Sequence, residues 1–161
     1  MREKVRFVLG IHNHQPVGNF DHVIEEAYQK AYLPFIEVME RYPDIPFALH
    51  NSGILWDWFG LHHPEYIEKI EKMSADGRIE LMSAGYYEPI LTVIPERDRQ
   101  GQLSMMNRYI SARFGARPRG CWLTERIWDP HLPDTLASAG LEEVIVYVSP
   151  LESTGFEAEG M

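Results

Sequence analysis

The chain has 161 residues, of which 45% are hydrophobic and 24% charged, so it is long enough for one globular domain with a sizeable core. Its net charge of −9 argues against nucleic acid or an anionic membrane surface as a partner, and its single cysteine excludes an intrachain disulfide. We expect a cytoplasmic protein, because no stretch approaches the ~20 apolar residues of a membrane span and the first apolar run is too short for a signal peptide.

Short apolar runs alternate with longer amphipathic runs along the chain. The pattern predicts strands at residues 5–11, 47–49, 78–82, 120–123 and 144–148. It predicts helices at 21–41, 64–76, 96–114 and 132–139, with a helical turn at 54–59. Pro34 lies inside the first helical pattern and predicts a kink or a break there. Strands that alternate with helices are typical of an α/β fold with a parallel sheet.

The unusual polar and aromatic residues gather in or just after the predicted strands. They are His12 and His14, then His50, Asn51 and Ser52, then Glu80, Tyr86, Tyr87 and Glu88, and finally Trp122, Thr124, Glu125 and Arg126. In parallel α/β folds the carboxyl edge of the sheet builds the active site. The sequence therefore predicts that four separate segments converge on one site.

Taken singly, several of these residues have plainer explanations. His12 and His14 share a side of an extended segment and are a candidate metal pair, although hydrogen bonding or a structural role is the more common use of such a pair. Glu80 could instead form a structural ion pair with Arg126. Trp122 could instead be a residue of the hydrophobic core. We expect core positions for Trp56 and Trp58, and we expect Cys121 to face the helices.

Three segments resemble sequence regions of glycoside hydrolase family 57, and most closely of its 4-α-glucanotransferase and α-amylase branch. They are "GIHNHQPVGNF" at 10–20, "RIELMSAGYYEPIL" at 78–91 and "CWLTERIWDP" at 121–130. The resemblance covers residues 1–146 and implies the first part of an incomplete, TIM-like (β/α)₇ barrel. It also implies an enzyme that cleaves or transfers α-glucan chains, such as maltooligosaccharides, with retention of anomeric configuration.

The resemblance assigns roles to individual residues. It implies that Glu125 is the catalytic nucleophile and that the subsite for the reacting glucose is lined by His12, His14, Glu80 and Trp122. It implies neither a metal ion nor another cofactor. The residue types suit this chemistry, because a retaining glycosidase needs an attacking carboxylate and indoles offer apolar faces to sugar rings. We expect Trp122 and Trp128 to hold the sugar and Arg126 to keep the Glu125 carboxylate ionised.

The chain departs from the family after the fifth predicted strand. The family's acid/base aspartate comes from a later motif, which the 161 residues do not contain, and residues 147–161 form a divergent tail. A fragment, a split gene product and a frameshifted end all account for this difference. We expect the 161-residue chain alone not to turn over α-glucans, and we expect it to associate with itself or with a second polypeptide that completes the barrel.

Two other functions remain open from the sequence. A metal-dependent carbohydrate deacetylase or amidohydrolase also places histidines at strand ends, although Asp21, Asp57 and Asp76 lie in helical or loop contexts that do not suit a ligand set. Stoichiometric zinc would favour that enzyme. A non-catalytic remnant that binds oligosaccharides is the second alternative, and sugar binding without hydrolysis would identify it.

Overall fold

The computed structural model describes residues 7–145, in which strands and helices alternate along the chain. The strands are β1 (Gly10–Asn13), β2 (Phe47–Asn51), β3 (Ile79–Leu81), β4 (Gly120–Trp122) and β5 (Glu143–Ile145). The helices are α1 (Asp21–Ala27), α2 (Leu33–Arg41), α3 (Gly53–His62), α4 (Pro64–Ala75), α5 (Glu96–Phe114) and α6 (Leu132–Ser138). The predicted α/β fold with parallel strands is confirmed. Between residues 7 and 145 no helix is long and apolar enough to cross a membrane.

The strands form one curved wall. β1, β2 and β3 pair in order in one sheet, β4 pairs with β5 in a second, and a parallel bridge between Ser83 and Cys121 joins the two. A Cβ atom built on Gly10 in β1 would lie 3.8 Å from Cδ1 of Ile145 in β5. Five neighbouring strands in a flat sheet would separate the first from the last by about 19 Å. The five strands therefore form a curved wall, as the strands of a β-barrel do.

The helical run that contains Pro34 is irregular, because a π-helical turn precedes the proline. Residues Tyr28–Tyr32 form this turn between α1 and α2, and the N–H of Leu33 donates to the carbonyl of Tyr28. Proline lacks an N–H, and its ring clashes with the carbonyl four residues back in a regular α-helix. The wider turn directly before Pro34 relieves that conflict without ending the helical run.

The outer face of the wall packs against the helices in two apolar clusters. Leu49 and Leu81 belong to the larger one, together with Trp56 and Trp58 of α3. Cys121 belongs to the smaller one, whose other buried members are Leu91, Leu103, Leu123, Leu132, Leu136 and Leu141. The core positions predicted for both tryptophans, and the helix-facing position of Cys121, are confirmed. Burial raises the pKa of the Cys121 thiol to about 12, so this cysteine is inert.

Several element boundaries differ from those predicted, most of them by one or two residues. Residues 7–9 of the first predicted strand precede β1, and Phe7 and Val8 are each 81% exposed instead of buried. β1 runs to Asn13, so His12 lies within the strand instead of after it, because its register with β2 continues through the pairs His12–His50 and Asn13–Asn51. The turn predicted at 54–59 is the ten-residue helix α3. Residues 5–6 and 146–148 of the predicted strands, and the tail at 147–161, lie outside the described residues.

Candidate active site

The inner face of the wall carries the polar residues. Side chains alternate along a strand, so His12 and His50, which are register partners in β1 and β2, point to the face opposite Leu49. The Asn13 side chain donates to the Asn51 side chain at 2.7 Å at the carboxyl ends of the same strands. The predicted convergence of residues on this edge therefore begins with the parallel register of β1 and β2.

Four aromatic rings stand nearly parallel in this site. The ring of His12 stacks on Trp122 with centroids 4.6 Å apart and planes 5° apart, and its centroid lies 4.9 Å from that of His50, with the two planes 17° apart. The Nδ1 atoms of His12 and His50 are 2.7 Å apart, so one of them carries the proton of a hydrogen bond. His14 stacks on His12 at a longer 5.9 Å. The structure thus brings together three of the predicted site residues, His12, His14 and Trp122.

Glu88 lies at the centre of the site; the sequence analysis placed it among the residues that converge there but assigned it no chemical role. One carboxylate oxygen, Oε2, contacts Nδ1 of His14, and the other, Oε1, lies 3.7 Å from Nε2 of His12 and 3.9 Å from Nδ1 of His50. The side chain is almost completely buried. A signal for Glu88 was present in the sequence, because it is the first acidic residue after β3 and so falls at the carboxyl edge.

The loop after β3 places Glu88 by unusually close packing. A Cβ atom on Gly53 would lie only 2.3 Å from the ring of Tyr86, so only glycine lets this ring lie against the start of α3. The N–H of Gly53 donates to the carbonyl of Tyr86 at 2.8 Å, and the Tyr86 hydroxyl donates to Asp57 at 2.7 Å. Glu88 itself closes a turn on Gly85 and has a φ of 51°.

Burial sets the protonation of the site. Burial, then the charges of His14 and Arg126, lowers the pKa of His12 to about 4. Burial likewise moves the pKa of His50 well below its usual value. The pKa of Glu88 is raised, chiefly by burial and also by the charge of Glu125, while its contact with His14 opposes this shift. At neutral pH His12 and His50 are therefore uncharged imidazoles that can exchange hydrogen bonds with hydroxyl groups.

Glu125 lies on a tight turn directly after β4. The turn, Thr124–Arg126, holds two successive non-glycine residues in the left-handed region, Glu125 at a φ of 53° and Arg126 at 56°. Such residues cost on the order of 1–3 kcal/mol each and cluster at functional sites. Both side chains are exposed. The charge of Glu125 acts on Glu88 and that of Arg126 acts on His12, which joins this turn to the histidine cluster.

Two other predicted site residues lie apart from the cluster. Glu80 is the register partner of Ala48, two residues or about 6.6 Å along β2 from His50. It is exposed and lines a cavity with Pro46 and Gly77, which precede β2 and β3. Trp128 is 46% exposed and borders a different surface groove, formed by residues of α6 and β5. The substrate-binding roles of both residues stay predictions.

Comparison with known proteins identifies relatives of the chain. The family model described as "Glycosyl hydrolase family 57" matches residues 8–147. The chain is 47% identical over 161 residues to "Alpha-amylase 1" of Dictyoglomus thermophilum, and it is 41% identical over 157 residues to a 4-alpha-glucanotransferase of Thermococcus litoralis. These matches take in 100% and 98% of the chain but only 24% of each relative.

Solved structures agree with this result. The Thermococcus litoralis 4-alpha-glucanotransferase superposes with a TM-score of 0.86 at 42% identity, covering 88% of this chain and 22% of that one. A CE4 family pseudoenzyme from Bacillus anthracis superposes with a TM-score of 0.58 at 17% identity, covering 86% of this chain and 42% of that one, which is a likeness of fold alone. The predicted fold, the N-terminal part of a TIM-like barrel of this kind, is confirmed.

Proposed function

Because the chain belongs to glycosyl hydrolase family 57, we propose that it supplies the nucleophile and part of the sugar subsite of an α-glucan-active enzyme, an α-amylase or a 4-α-glucanotransferase. One observation carries the proposal. The exposed Glu125 on its left-handed turn stands beside a site that contains stacked, neutral imidazoles and the indole of Trp122. That combination offers a nucleophile, hydroxyl partners and an apolar face to a single sugar ring.

The proposed reaction uses Glu125 twice. Its carboxylate attacks the anomeric carbon as the bond to the leaving glucan oxygen breaks, and that oxygen takes a proton from a second carboxyl group. Water or the hydroxyl of an acceptor glucan then attacks the anomeric carbon, returns its proton to the second carboxyl group and frees Glu125. Two inversions give net retention. We assign the second carboxyl group to the aspartate that the family carries in a later motif.

The backbone at Glu125 supports its role as the nucleophile. A side chain on a left-handed residue projects differently from one on the preceding strand, so the turn lifts the carboxylate off the wall and towards solvent. Evolution tolerates such strain where function requires a particular side-chain direction. Glu88, in contrast, is buried among the histidines and is not free to reach a sugar carbon. The two carboxylates therefore have separate tasks.

The test of this function is covalent labelling of Glu125 in the enzyme with its complete catalytic domain. A 5-fluoro-α-glucosyl fluoride should form a long-lived glycosyl-enzyme, because the ring fluorine slows hydrolysis of the intermediate. Trypsin cleaves after Arg119 and Arg126 and releases the peptide GCWLTER, in which Glu125 is the only side-chain carboxylate. We expect the sugar mass on that peptide. A label on another peptide would contradict the assignment, and glucan binding without any label would instead favour the sugar-binding remnant.

Replacing Trp122 by alanine is expected to raise KM for maltooligosaccharides. The change removes the apolar face that the indole would offer to the sugar ring, and loss of one aromatic contact of about 0.5–1.5 kcal/mol corresponds to roughly 2- to 12-fold in affinity. Phenylalanine at the same position should restore much of the loss, because it keeps an aromatic face. Initial rates measured against substrate concentration check this. An equal increase in KM for Trp128→Ala would extend the sugar site to Trp128, whereas no change for Trp122→Ala would remove Trp122 from it.

A further inference from the structure

Three side chains of the site offer metal-ligand atoms to a common point. The atoms of His12, His14 and Glu88 all lie within 4.8 Å of one another. Between residues 7 and 145 this is the only set of three His, Cys, Asp or Glu residues with that property. His12 lies in β1 and His14 just after it, whereas Glu88 lies 74 residues beyond His14 in the loop after β3, so the tertiary structure brings the three together.

The hydrogen bonds of the cluster leave a buried oxygen unsatisfied. Oε2 of Glu88 contacts His14, but Oε1 is buried without a hydrogen-bond partner. The nearest nitrogen is Nε2 of His12, at 3.7 Å, which is too far for a hydrogen bond. If His12 donates from Nδ1 to His50, then its Nε2 carries a lone pair that faces this oxygen. A cation between the two atoms would satisfy both.

The ligand atoms are held in place by the surrounding structure. Nδ1 of His12 is bonded to the fully buried His50, which fixes the plane of the His12 ring as an outer-shell partner does in metal sites. Glu88 is fixed by the turn on Gly85 and by the packing of Tyr86 on Gly53. The side chain of His14 is 43% exposed, so an ion can enter from solvent on that side.

We propose that His12, His14 and Glu88 form a binding site for a zinc ion. Two imidazole nitrogens and one carboxylate oxygen are a donor set that zinc prefers, and they leave a fourth position open. Magnesium and calcium favour sets made only of oxygen ligands. Bonds of 2.0–2.2 Å to a tetrahedral ion place ligand atoms about 3.3–3.6 Å apart, so small rotations of the exposed His14 and of His12 bring all three ligand atoms within bonding distance of one ion.

The zinc site has a consequence that rests on the proposed function. His12 stacks on Trp122, so an ion bound to its Nε2 lies against the residues that the sugar ring would contact. Zinc and glucan therefore compete, and zinc raises KM for maltooligosaccharides without lowering kcat. A metal-dependent hydrolase would respond in the opposite direction, because its activity would need the ion.

Equilibrium dialysis of the protein against zinc chloride tests the site directly and needs no turnover. We expect one equivalent of zinc in the wild type and at least a tenfold weaker affinity in both His14→Gln and Glu88→Gln. His22→Gln is the matched control, because His22 is exposed and its ring stacks on Phe20 instead of on a residue of the cluster. It should bind as the wild type does. Circular dichroism establishes that each variant is folded, and a folded Glu88→Gln or His14→Gln that binds zinc normally overturns the proposal.

X-ray absorption at the zinc edge and steady-state kinetics complete the test. The spectrum should report two imidazole ligands with the remaining ligands oxygen, and magnesium chloride at the same concentration should displace no zinc. A spectrum without imidazole overturns the site. If these residues bind zinc but KM does not change, the zinc site is supported and the proposed competition between zinc and glucan is refuted. An enzyme with its complete catalytic domain that binds zinc as expected but never turns over glucan refutes the proposed function alone.

Discussion

Replacing Glu125 by glutamine is expected to lower kcat on maltooligosaccharides by on the order of 10⁴-fold or more in the enzyme with its complete catalytic domain. The amide has the shape of the carboxylate but cannot displace the leaving glucan and form a glycosyl-enzyme. Glucan affinity should change little, because Glu125 lies on an exposed turn beside the stacked rings of the proposed subsite and not among them. Initial rates and a binding titration with maltooligosaccharide measure the two effects separately.

The matched control for this substitution is Glu68→Gln, which makes the same chemical change at an exposed position of α4. Its rate should equal that of the wild type. Retention of more than a tenth of the activity by Glu125→Gln would remove Glu125 from the nucleophile role.

A small external nucleophile gives a second measurement of the same role. In Glu125→Ala, azide has room to attack the anomeric carbon of an activated aryl α-glucoside from the side that the carboxylate occupied. The product should be the β-glucosyl azide, because a single displacement inverts the configuration. Rescue that yields the α-azide would show that another residue still forms the intermediate.

Replacing Gly53 by alanine is expected to destabilise the protein by about 1–3 kcal/mol or more, and to reduce activity as well. The added methyl group would lie 2.3 Å from the Tyr86 ring. The ring cannot move away easily, since Tyr86 bonds through its hydroxyl to Asp57 and through its carbonyl to the N–H of Gly53. Any displacement that relieves the clash also moves the loop that carries Glu88. Urea denaturation reports the change in free energy of unfolding.

Gly101→Ala is the control for this experiment. Gly101 lies in α5, and a Cβ atom there would meet nothing within 4 Å. Alanine also has the higher helix propensity, so this variant should be as stable as the wild type or more stable by up to about 1 kcal/mol. Equal stabilities of Gly53→Ala and Gly101→Ala would mean that the start of α3 and the loop after β3 can separate at little cost.

The sequence by itself determined the order and type of the main elements. Apolar periodicity placed α5 at Glu96–Phe114, and Gly115 ends it with a φ of 64°, which glycine adopts without strain. The same reasoning put His12, His14 and Trp122 at one edge, because polar residues after buried parallel strands have only the carboxyl edge to occupy. These features depend on local patterns and on alternation along a strand, and both can be read from neighbouring residues.

Only the tertiary structure decided which residues of that edge meet. Glu88 and the buried His50 joined the cluster because the loop after β3 packs on Gly53 and because β1 and β2 pair in a particular register. Register likewise put Glu80 two residues from the level of the histidines, and the turn after β4 left Trp128 beside α6 and β5. Each of these placements depends on contacts between segments far apart in the chain. The periodicity of one segment carries no information about the register, packing or turn geometry of another.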